Sequence, residues 1–240
     1  MSSMAKKYIV ANWKMNLPTE SFEHYFHELP KQDLVNVVVC PPFVYLKEAL
    51  RHAQGVFSIG AQQCSAHAKG AFTGEVSASM LAQAGAKYCL VGHSEQRQNW
   101  PQTLWLSCVE NLLGQDIVPI FCVGETKEQR EQDRTLTVIS EQIDGIKSFG
   151  ASLIIAYEPV WSIGSGVVPT TREIVKVVEF IKSQVKQSPV LYGGSVQEKN
   201  ASDFAQLAEL DGLLVGGASL SSASFGSIIT TYLGDTLIKR

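Results

Sequence analysis

The stretch LIIAYEPVWSIGSG, residues 153–166, joins a short apolar run to a single carboxylate and a glycine-rich loop. The apolar residues are typical of a buried β-strand. Pro159 prevents the strand from running on into a helix, and Gly164 and Gly166 allow the loop backbone to approach a ligand closely. Taken alone, the stretch also fits an ordinary turn with a solvated glutamate, so its meaning depends on the rest of the chain.

Apolar runs of similar length recur along the chain, and each is followed by a longer amphipathic or polar stretch. The runs lie at residues 8–12, 35–40, 57–61, 88–91, 117–123, 153–157, 190–192 and 212–215. The continuous run at 35–40 suits a strand that is buried on both faces, whereas residues 171–186 have apolar side chains at the spacing of one helix face. Strands that alternate with helices predict parallel pairing.

Eight such units in 240 residues, without a linker or a break in composition, predict a closed parallel (β/α)8 barrel of the α/β class. The predicted single domain covers residues 1–240, with the barrel core at about 8–233. The alternative is an open doubly wound sheet. That fold would need a nucleotide-binding glycine loop after the first strand, where the sequence instead has Ala11-Asn12-Trp13-Lys14.

The composition is that of an ordinary globular protein, with 45% apolar residues and a formal net charge of -3. Nucleic acids and anionic membranes need a concentrated basic patch, and the chain has no dense run of Lys and Arg, so we expect neither as a partner. The apolar stretch near the amino terminus is too short for a signal peptide, and no later run could span a bilayer. We therefore expect a cytoplasmic protein.

The cysteines are odd in number and widely scattered. They are Cys40, Cys64, Cys89, Cys108 and Cys122. No Cys-x-x-Cys pair indicates zinc, iron–sulfur or thioredoxin-like chemistry, so we predict no metal site and expect buried, reduced thiols.

Polar residues that could carry chemistry follow the carboxyl ends of the predicted strands, which share one face of a parallel barrel. They are Asn12 and Lys14 after the first strand, His93 and Glu95 after the fourth, Glu125 after the fifth, Glu158 after the sixth, Gly193-Gly194-Ser195 after the seventh and Gly216-Gly217 after the eighth. Each has an ordinary explanation as well, such as a solvated lysine, a histidine at a helix start or a tight turn. Together they supply a base, an electrophile, a fixed cation and two turns able to bind an anion.

Six short motifs carry a family resemblance. They are ANWKMN at 11–16, VGHSE at 91–95, CVGE at 122–125, YEPVW at 157–161, YGGSV at 192–196 and LVGGASL at 214–220. With these motifs in the expected order, the chain resembles the triosephosphate isomerase family over residues 8–233. Other phosphate-binding barrels share a glycine-rich turn near the eighth strand, but not this set.

The resemblance implies a TIM barrel that interconverts dihydroxyacetone phosphate and D-glyceraldehyde 3-phosphate, in glycolysis and gluconeogenesis, without a metal or an organic cofactor. Glu158 would be the base, His93 a neutral hydrogen-bond donor to the substrate oxygens, and Lys14 a fixed positive charge beside them. Asn12 would orient the substrate oxygens and Lys14. Glu95 would pair with Lys14, although an acid at a helix amino terminus is physically sensible in itself.

The resemblance also assigns the substrate phosphate to backbone N–H groups on the same face, close to Asn12 and Lys14. These groups lie around Gly164, Ser195, Gly216 and Gly217.

A lid and an apolar clamp are implied by the same resemblance. Trp161 and Ile163 lie on the lid loop, and Leu214 and Tyr192 come from the strands that face it. Ile163 and Leu214 would keep water away from Glu158 when the lid closes. Plain core packing is the alternative reading for both.

Residues 65–75 form a polar loop that is longer than most barrel connections. In the family the matching loop inserts into the neighbouring subunit, which implies a homodimer with Phe72 and Thr73 in the inserted loop. Thr73 would reach toward the partner subunit's Asn12. An exposed loop on a monomer is the alternative.

The sequence departs from the family pattern at the lid and after Glu95. Most relatives continue the lid with a lysine and two small residues, where this chain has Val167-Val168-Pro169. The family tyrosine that matches Tyr192 bonds to a hinge N–H that aligns with Pro169, so we predict altered lid opening rather than lost activity. Gln96 stands where the family usually has the first of two arginines, so we expect one supporting ion pair to be missing.

Two other functions are compatible with a barrel. A different sugar-phosphate enzyme, such as an aldolase or an epimerase, would need a Schiff-base lysine within a strand or a metal-ligand cluster, and we identify neither in the sequence. A catalytically silent scaffold would be expected to lack Glu158, His93 or Lys14, and all three are present.

Overall fold

Parallel strands close into a barrel in the computed structural model, which describes residues 7–97 and 100–234. The strands are β1 (Lys7–Asn12), β2 (Val35–Cys40), β3 (Ser58–Ala61), β4 (Tyr88–Val91), β5 (Val118–Val123), β6 (Ile154–Tyr157), β7 (Val190–Tyr192) and β8 (Gly212–Val215). Each strand pairs with the next one along the chain, and β8 closes the barrel by pairing with β1. The predicted (β/α)8 barrel is confirmed, and the doubly wound alternative is wrong.

Helices surround the barrel on its outer side. They are α1 (Phe22–Glu28), α2 (Leu46–Ala53), α3 (Ala78–Ala84), α4 (Ser94–Arg97), α5 (Gln102–Leu113), α6 (Lys127–Glu131), α7 (Thr135–Ile143), α8 (Thr171–Gln184), α9 (Ala201–Ala205) and α10 (Ser222–Leu233). Short 3-10 helices lie at Phe43–Tyr45, Asp144–Ser152, Val160–Ser162, Glu198–Asn200 and Gly217–Leu220.

Side chains of the strands divide into two buried cores because successive residues of a strand point to opposite faces. The inner cluster fills the barrel with alternate strand residues, among them Val10, Leu90, Cys122, Ile154, Ala156, Leu191 and Leu214. The residues between them pack outward against the helices. In β6 the inward residues are Ile154 and Ala156, so the same alternation carries Glu158 to the mouth of the barrel.

Helix α8 anchors the far end of the lid loop. Thr170 caps the helix, since its hydroxyl accepts the N–H of Glu173 while the Glu173 carboxylate accepts the N–H of Thr170. Pro169 directly precedes the cap and disfavours a longer helix. The helix predicted at 171–186 is therefore confirmed, and it ends at Gln184.

All five cysteines are free and buried, as the sequence predicts. Within the two described ranges, no helix is long and apolar enough to cross a membrane. The segment at 1–6, which enters the signal-peptide prediction, lies outside the described residues, as do 98–99 and 235–240 at the carboxyl end of the predicted domain.

Candidate active site

A cavity of about 640 Å³ opens at the carboxyl ends of the strands. It is lined by many of the residues that the sequence singles out, namely Asn12, Lys14, His93, Glu158, Ile163, Gly164, Ser195, Leu214, Gly216 and Gly217. The loops after β1, β4, β6, β7 and β8 therefore converge on one space. Glu95, Trp161, Tyr192, Phe72 and Thr73 are not among the lining residues.

Glu158 is buried at the base of the cavity with only 3% of its surface exposed. Its backbone N–H donates to the Val123 carbonyl at 2.7 Å, which extends the pairing of β6 with β5 by one residue and fixes the start of the lid loop. Its Oε1 lies 3.2 Å from Nε2 of His93. Its Oε2 has no hydrogen-bond partner within the described part of the chain. The carboxylate thus has a free acceptor oxygen beside a hydrogen-bonded one.

Two glycines make room for this glutamate. A Cβ at Gly124 would lie 1.7 Å from the Glu158 carbonyl oxygen, and a Cβ at Gly193 would lie 2.9 Å from the Glu158 Cγ. Both distances are shorter than non-bonded atoms tolerate. The glycines after β5 and β7 are therefore required by the position of Glu158.

His93 precedes α4, and the amino terminus of that helix determines which ring nitrogen carries a proton. The backbone N–H of Glu95 donates to Nδ1 of His93 at 3.3 Å. Because Nδ1 accepts this bond, the neutral imidazole has its proton on Nε2, the nitrogen beside Glu158.

Opposing influences act on the charge of His93. Burial lowers the pKa of the imidazole and so does the Lys14 ammonium, whereas the Glu158 carboxylate and, less strongly, Glu95 raise it. The net direction is a pKa above the ordinary value of 6.5. The raised pKa depends mainly on the contact with Glu158, which a ligand between the two side chains would break.

Lys14 is held in a strained backbone conformation. Its φ is 53°, in the left-handed region that side-chain-bearing residues rarely adopt. Three polar contacts hold it there: its N–H donates to Asn12 Oδ1 at 3.0 Å, its carbonyl accepts from Gln62 Nε2 at 2.8 Å, and its Nζ lies 2.5 Å from Glu95 Oε1. The ammonium group is thereby directed to the cavity from a fixed backbone position.

Glycines and a short helix also line the cavity. Ser195 follows β7, and Gly216 and Gly217 follow β8 at the start of the 3-10 helix Gly217–Leu220. In TIM barrels the loops after the last two strands and the amino terminus of a short helix form a phosphate site. The arrangement here can present backbone N–H groups to an anion.

The lid loop follows β6, with Trp161 and Ser162 in its first arm and Val167 to Pro169 in its second arm. The first arm is attached to a buried carboxylate, that of Glu125, outside the cavity. Nε1 of Trp161 donates to Glu125 Oε1 at 2.8 Å, and the Tyr157 hydroxyl lies 3.3 Å from both oxygens of Glu125. The Arg130 guanidinium stacks on the Trp161 ring at 3.8 Å from its centroid. Burial raises the pKa of Glu125, and the hydrogen bonds from Trp161 and Tyr157 oppose that shift.

Tyr192 lies beneath the lid. Its hydroxyl is 3.4 Å from Ser162 Oγ, within the first arm of the loop. Pro169, in the second arm, has no N–H to offer it.

Three residues that hold the site received no specific role from the sequence. Glu125 follows β5 and ends the CVGE motif, and Gln62 follows β3, but neither sign assigns a role to the residue. Ser162 carries no such sign, since a serine within a glycine-rich loop is ordinary.

The long loop at 65–75 lies away from the cavity. The backbone N–H of Ser65 donates to the Val76 carbonyl at 2.8 Å and closes the loop at its base. The Phe72 ring stacks on His67 with 3.8 Å between the ring centroids, and Phe72 and Thr73 are exposed.

Comparisons with known proteins agree with this geometry. A family model described as "Triosephosphate isomerase" matches residues 7–232. The triosephosphate isomerase of Aquifex aeolicus is 39% identical over 246 residues, covering 95% of this chain and 100% of the relative. Those of Ruegeria sp. and Methylococcus capsulatus are each 39% identical, covering 94% of this chain and 98% of the relative. Since the match spans almost every described residue, the chain belongs to the triosephosphate isomerase family.

Proposed function

We propose that Glu158, His93, Lys14 and Asn12 carry out the triosephosphate isomerase reaction in this chain. The activity follows from the family: the protein is an isomerase that interconverts dihydroxyacetone phosphate and D-glyceraldehyde 3-phosphate. The assignment of each role to a residue is ours. The observation that carries it is the buried Glu158 carboxylate, whose Oε2 is free while its Oε1 contacts His93.

Glu158 takes a proton from the carbon next to the substrate carbonyl. The electron pair of that C–H bond forms a carbon–carbon double bond, and the carbonyl oxygen becomes the oxygen of an enediolate. The carboxylic acid formed on Glu158 then returns the proton to the former carbonyl carbon. At the same time the proton of the neighbouring hydroxyl moves, by way of His93, to the former carbonyl oxygen, so that the neighbouring C–O bond becomes the new carbonyl. No metal or organic cofactor enters this scheme, because the proton acceptor and the electrophile are both side chains.

His93 and Lys14 stabilise the charge that develops on the oxygens. The proton on Nε2 of His93 is directed at the cavity and can be donated to either substrate oxygen. The Lys14 ammonium supplies a positive charge, and Asn12 orients both Lys14 and the substrate. Glu95 supports the site by pairing with Lys14.

The phosphate group of the substrate is bound by backbone N–H groups at Gly164, Ser195, Gly216 and Gly217, together with Asn12 and Lys14. Trp161, Ile163, Leu214 and Tyr192 form the lid and its clamp. Ile163 and Leu214 both line the cavity, which suits residues that exclude water from Glu158.

Isomerisation in deuterated water tests the role of Glu158. A proton held on a carboxylic acid exchanges with solvent, so the product of the wild-type enzyme should contain carbon-bound deuterium. Glu158→Gln cannot accept the proton and should incorporate none above the uncatalysed level. Product that forms at the wild-type rate in Glu158→Gln would exclude Glu158 as the base.

A homodimer is the second part of the proposal, with Phe72 and Thr73 in the inserted loop. Several large apolar side chains are exposed in the single chain, among them Met15 at 95%, Val44 at 83%, Met80 at 57% and Phe72 at 42%. Burial of these side chains against a second copy of the chain would remove apolar surface from water. A second cavity of about 240 Å³, lined by Lys14, Phe43, Gln62 and Glu95 among others, lies beside Met15 and could receive the partner's loop.

We further infer that the whole chain, residues 1–240, is one domain and that the protein is cytoplasmic. The unpaired cysteines support a reducing compartment. The net charge of -3 gives no support to nucleic-acid or membrane binding, so a triose phosphate and a second copy of the chain are the proposed partners.

A further inference from the structure

Ser162 is a fully buried residue in a loop that is otherwise largely open to solvent. Its exposed fraction is 0%, whereas Gly164, Ser165, Gly166 and Val167 are exposed. It does not line the cavity that its neighbour Ile163 lines. A buried hydroxyl needs hydrogen-bond partners, and those of Ser162 come from three separate segments.

The Ser162 hydroxyl uses its full hydrogen-bonding capacity. Its Oγ lies 2.6 Å from the Val167 carbonyl oxygen, 3.2 Å from the Ser195 backbone N and 3.4 Å from the Tyr192 hydroxyl. A serine hydroxyl donates one proton and accepts two hydrogen bonds. Because a carbonyl can only accept, the Ser162 proton goes to Val167, and the Ser195 N–H and the Tyr192 hydroxyl take the two lone pairs.

These bonds join the two arms of the lid to each other and to the turn after β7. Val167 belongs to the second arm of the lid, and Ser195 belongs to the turn that lines the cavity. The Ser195 N–H is also one of the donors that we propose for the substrate phosphate. A single N–H cannot donate fully to Ser162 and to a phosphate oxygen at the same time.

A phosphate oxygen is the stronger acceptor of the two. Hydrogen bonds to a charged acceptor are roughly twice as strong as those between neutral groups. A bound phosphate should therefore take the Ser195 N–H from Ser162. The other bonds of the lid do not use the Ser195 N–H: Ser165 Oγ donates to the Ser162 carbonyl at 3.1 Å and accepts the Val167 N–H at 3.1 Å, and Ser162 also contacts Val167 and Tyr192.

We propose that Ser162 is a positioning residue that ties the lid to the phosphate-binding turn through the Ser195 N–H, and that the substrate phosphate releases this tie. The lid keeps its own conformation, since its internal bonds and the contact of Ser162 with Tyr192 persist. The inference deepens the proposed function and rests on the proposed phosphate site.

The variant Ser162→Ala tests the competition directly. Removing the acceptor leaves the Ser195 N–H free for a ligand, so phosphate-bearing ligands should bind more tightly. For one hydrogen bond of ordinary net strength we expect the Kd of inorganic phosphate and the KM of D-glyceraldehyde 3-phosphate each to fall by about two- to tenfold. If the hydroxyl only held the loop together, its loss would instead raise the Kd of inorganic phosphate and the KM of D-glyceraldehyde 3-phosphate.

Two further variants sharpen the test. Ser162→Thr retains the hydroxyl and should restore the wild-type Kd for inorganic phosphate. Ser165→Ala removes the other hydroxyl that bonds within the lid, without touching Ser195, and it should leave that Kd unchanged. An equal fall in Kd for Ser165→Ala would overturn the proposal, since it would reflect general loosening of the lid.

One measurement uses the wild-type protein alone, so it does not depend on whether a variant folds. During a titration with inorganic phosphate followed by NMR, the Ser195 amide proton should move downfield as it exchanges a hydroxyl acceptor for an anion. Saturable phosphate binding with an unmoved Ser195 amide would overturn the tie while leaving the proposed function intact. Wild-type protein that binds no phosphate and converts no substrate would instead contradict the proposed function.

Discussion

Nε2 of His93 lies 3.2 Å from Oε1 of Glu158, with both side chains buried. The two groups that we propose as electrophile and base therefore contact each other. The contact raises the pKa of His93 against the effects of burial and of Lys14. Substrate must separate the pair before either group acts on it.

The variant Glu158→Gln should lower the pKa of His93. The substitution removes the main raising influence. It leaves burial and the Lys14 charge, which lower the pKa, and Glu95, which raises it less strongly. An NMR titration of the His93 ring should show a pKa above 6.5 in the wild type and below it in the variant. An unchanged pKa would show that the contact with Glu158 does not control the histidine.

The same raised pKa has a consequence for stability. Protonated His93 stabilises the folded state fully below the unfolded pKa, and this contribution is lost as the pH rises through the higher folded pKa. The free energy of unfolding of the wild type should thus fall as the pH increases from about 6.5 upward, and that decrease should disappear in Glu158→Gln.

Gly193→Ala should reduce activity while preserving the fold. The added Cβ would lie 2.9 Å from the Glu158 Cγ and 3.3 Å from the Leu214 Cβ, so the carboxylate must shift. A displacement of about 1 Å in a catalytic group costs on the order of a hundredfold in rate. Steady-state kinetics and a thermal melt measure the two effects. Gly114→Ala is the control, because its Cβ meets only an ordinary contact at 3.4 Å outside the site; equal kcat values for the two variants would count against the prediction.

Lys14 and Glu95 should contribute very unequally to turnover. Lys14→Met removes a charge from the cavity and should lower kcat/KM by about a hundredfold or more. Glu95 is 55% exposed, and an exposed ion pair is worth only about 0–1 kcal/mol, so Glu95→Gln should cost less than about fivefold. Equal losses in the two variants would contradict the prediction, because they would mean that the ion pair matters as much as the Lys14 charge itself.

The exposed apolar side chains that we assign to the dimer interface, Phe72 and Val44 among them, should be buried on association. Sedimentation of the wild type should report twice the chain mass of 26.2 kDa. Val44→Asp places a charge on a residue that is 83% exposed in the single chain, and it should shift the protein toward the monomer. Val56→Asp is a matched change at another exposed valine, outside the proposed interface, and should leave the mass unchanged. A monomeric wild type would refute the proposed dimer.

The strands could be predicted from the sequence because apolar runs buried on both faces leave a strong signal. The predicted starts of three strands are one residue too early. Phe57, Ile117 and Leu153 are buried, but each lies just before the first residue of its strand. Ile117 is an example: its N–H still bonds to the Leu112 carbonyl at the end of α5, so burial precedes strand pairing.

The contacts that orient the site residues could not be predicted in the same way. The bond from Gln62 to the Lys14 carbonyl and the three bonds of Ser162 depend on loop conformations that bring distant segments together. Sequence spacing identifies which residues follow a strand, but it does not determine which of them then touch.

The rate of D-glyceraldehyde 3-phosphate conversion by the wild type and by Glu158→Asp tests the central claim most directly. The shorter side chain keeps the charge but withdraws the carboxylate by about 1.5 Å, so we predict a fast wild type and a variant slower by about a hundredfold or more. A wild type without activity, or a variant as fast as the wild type, would contradict the assignment of Glu158 as the base.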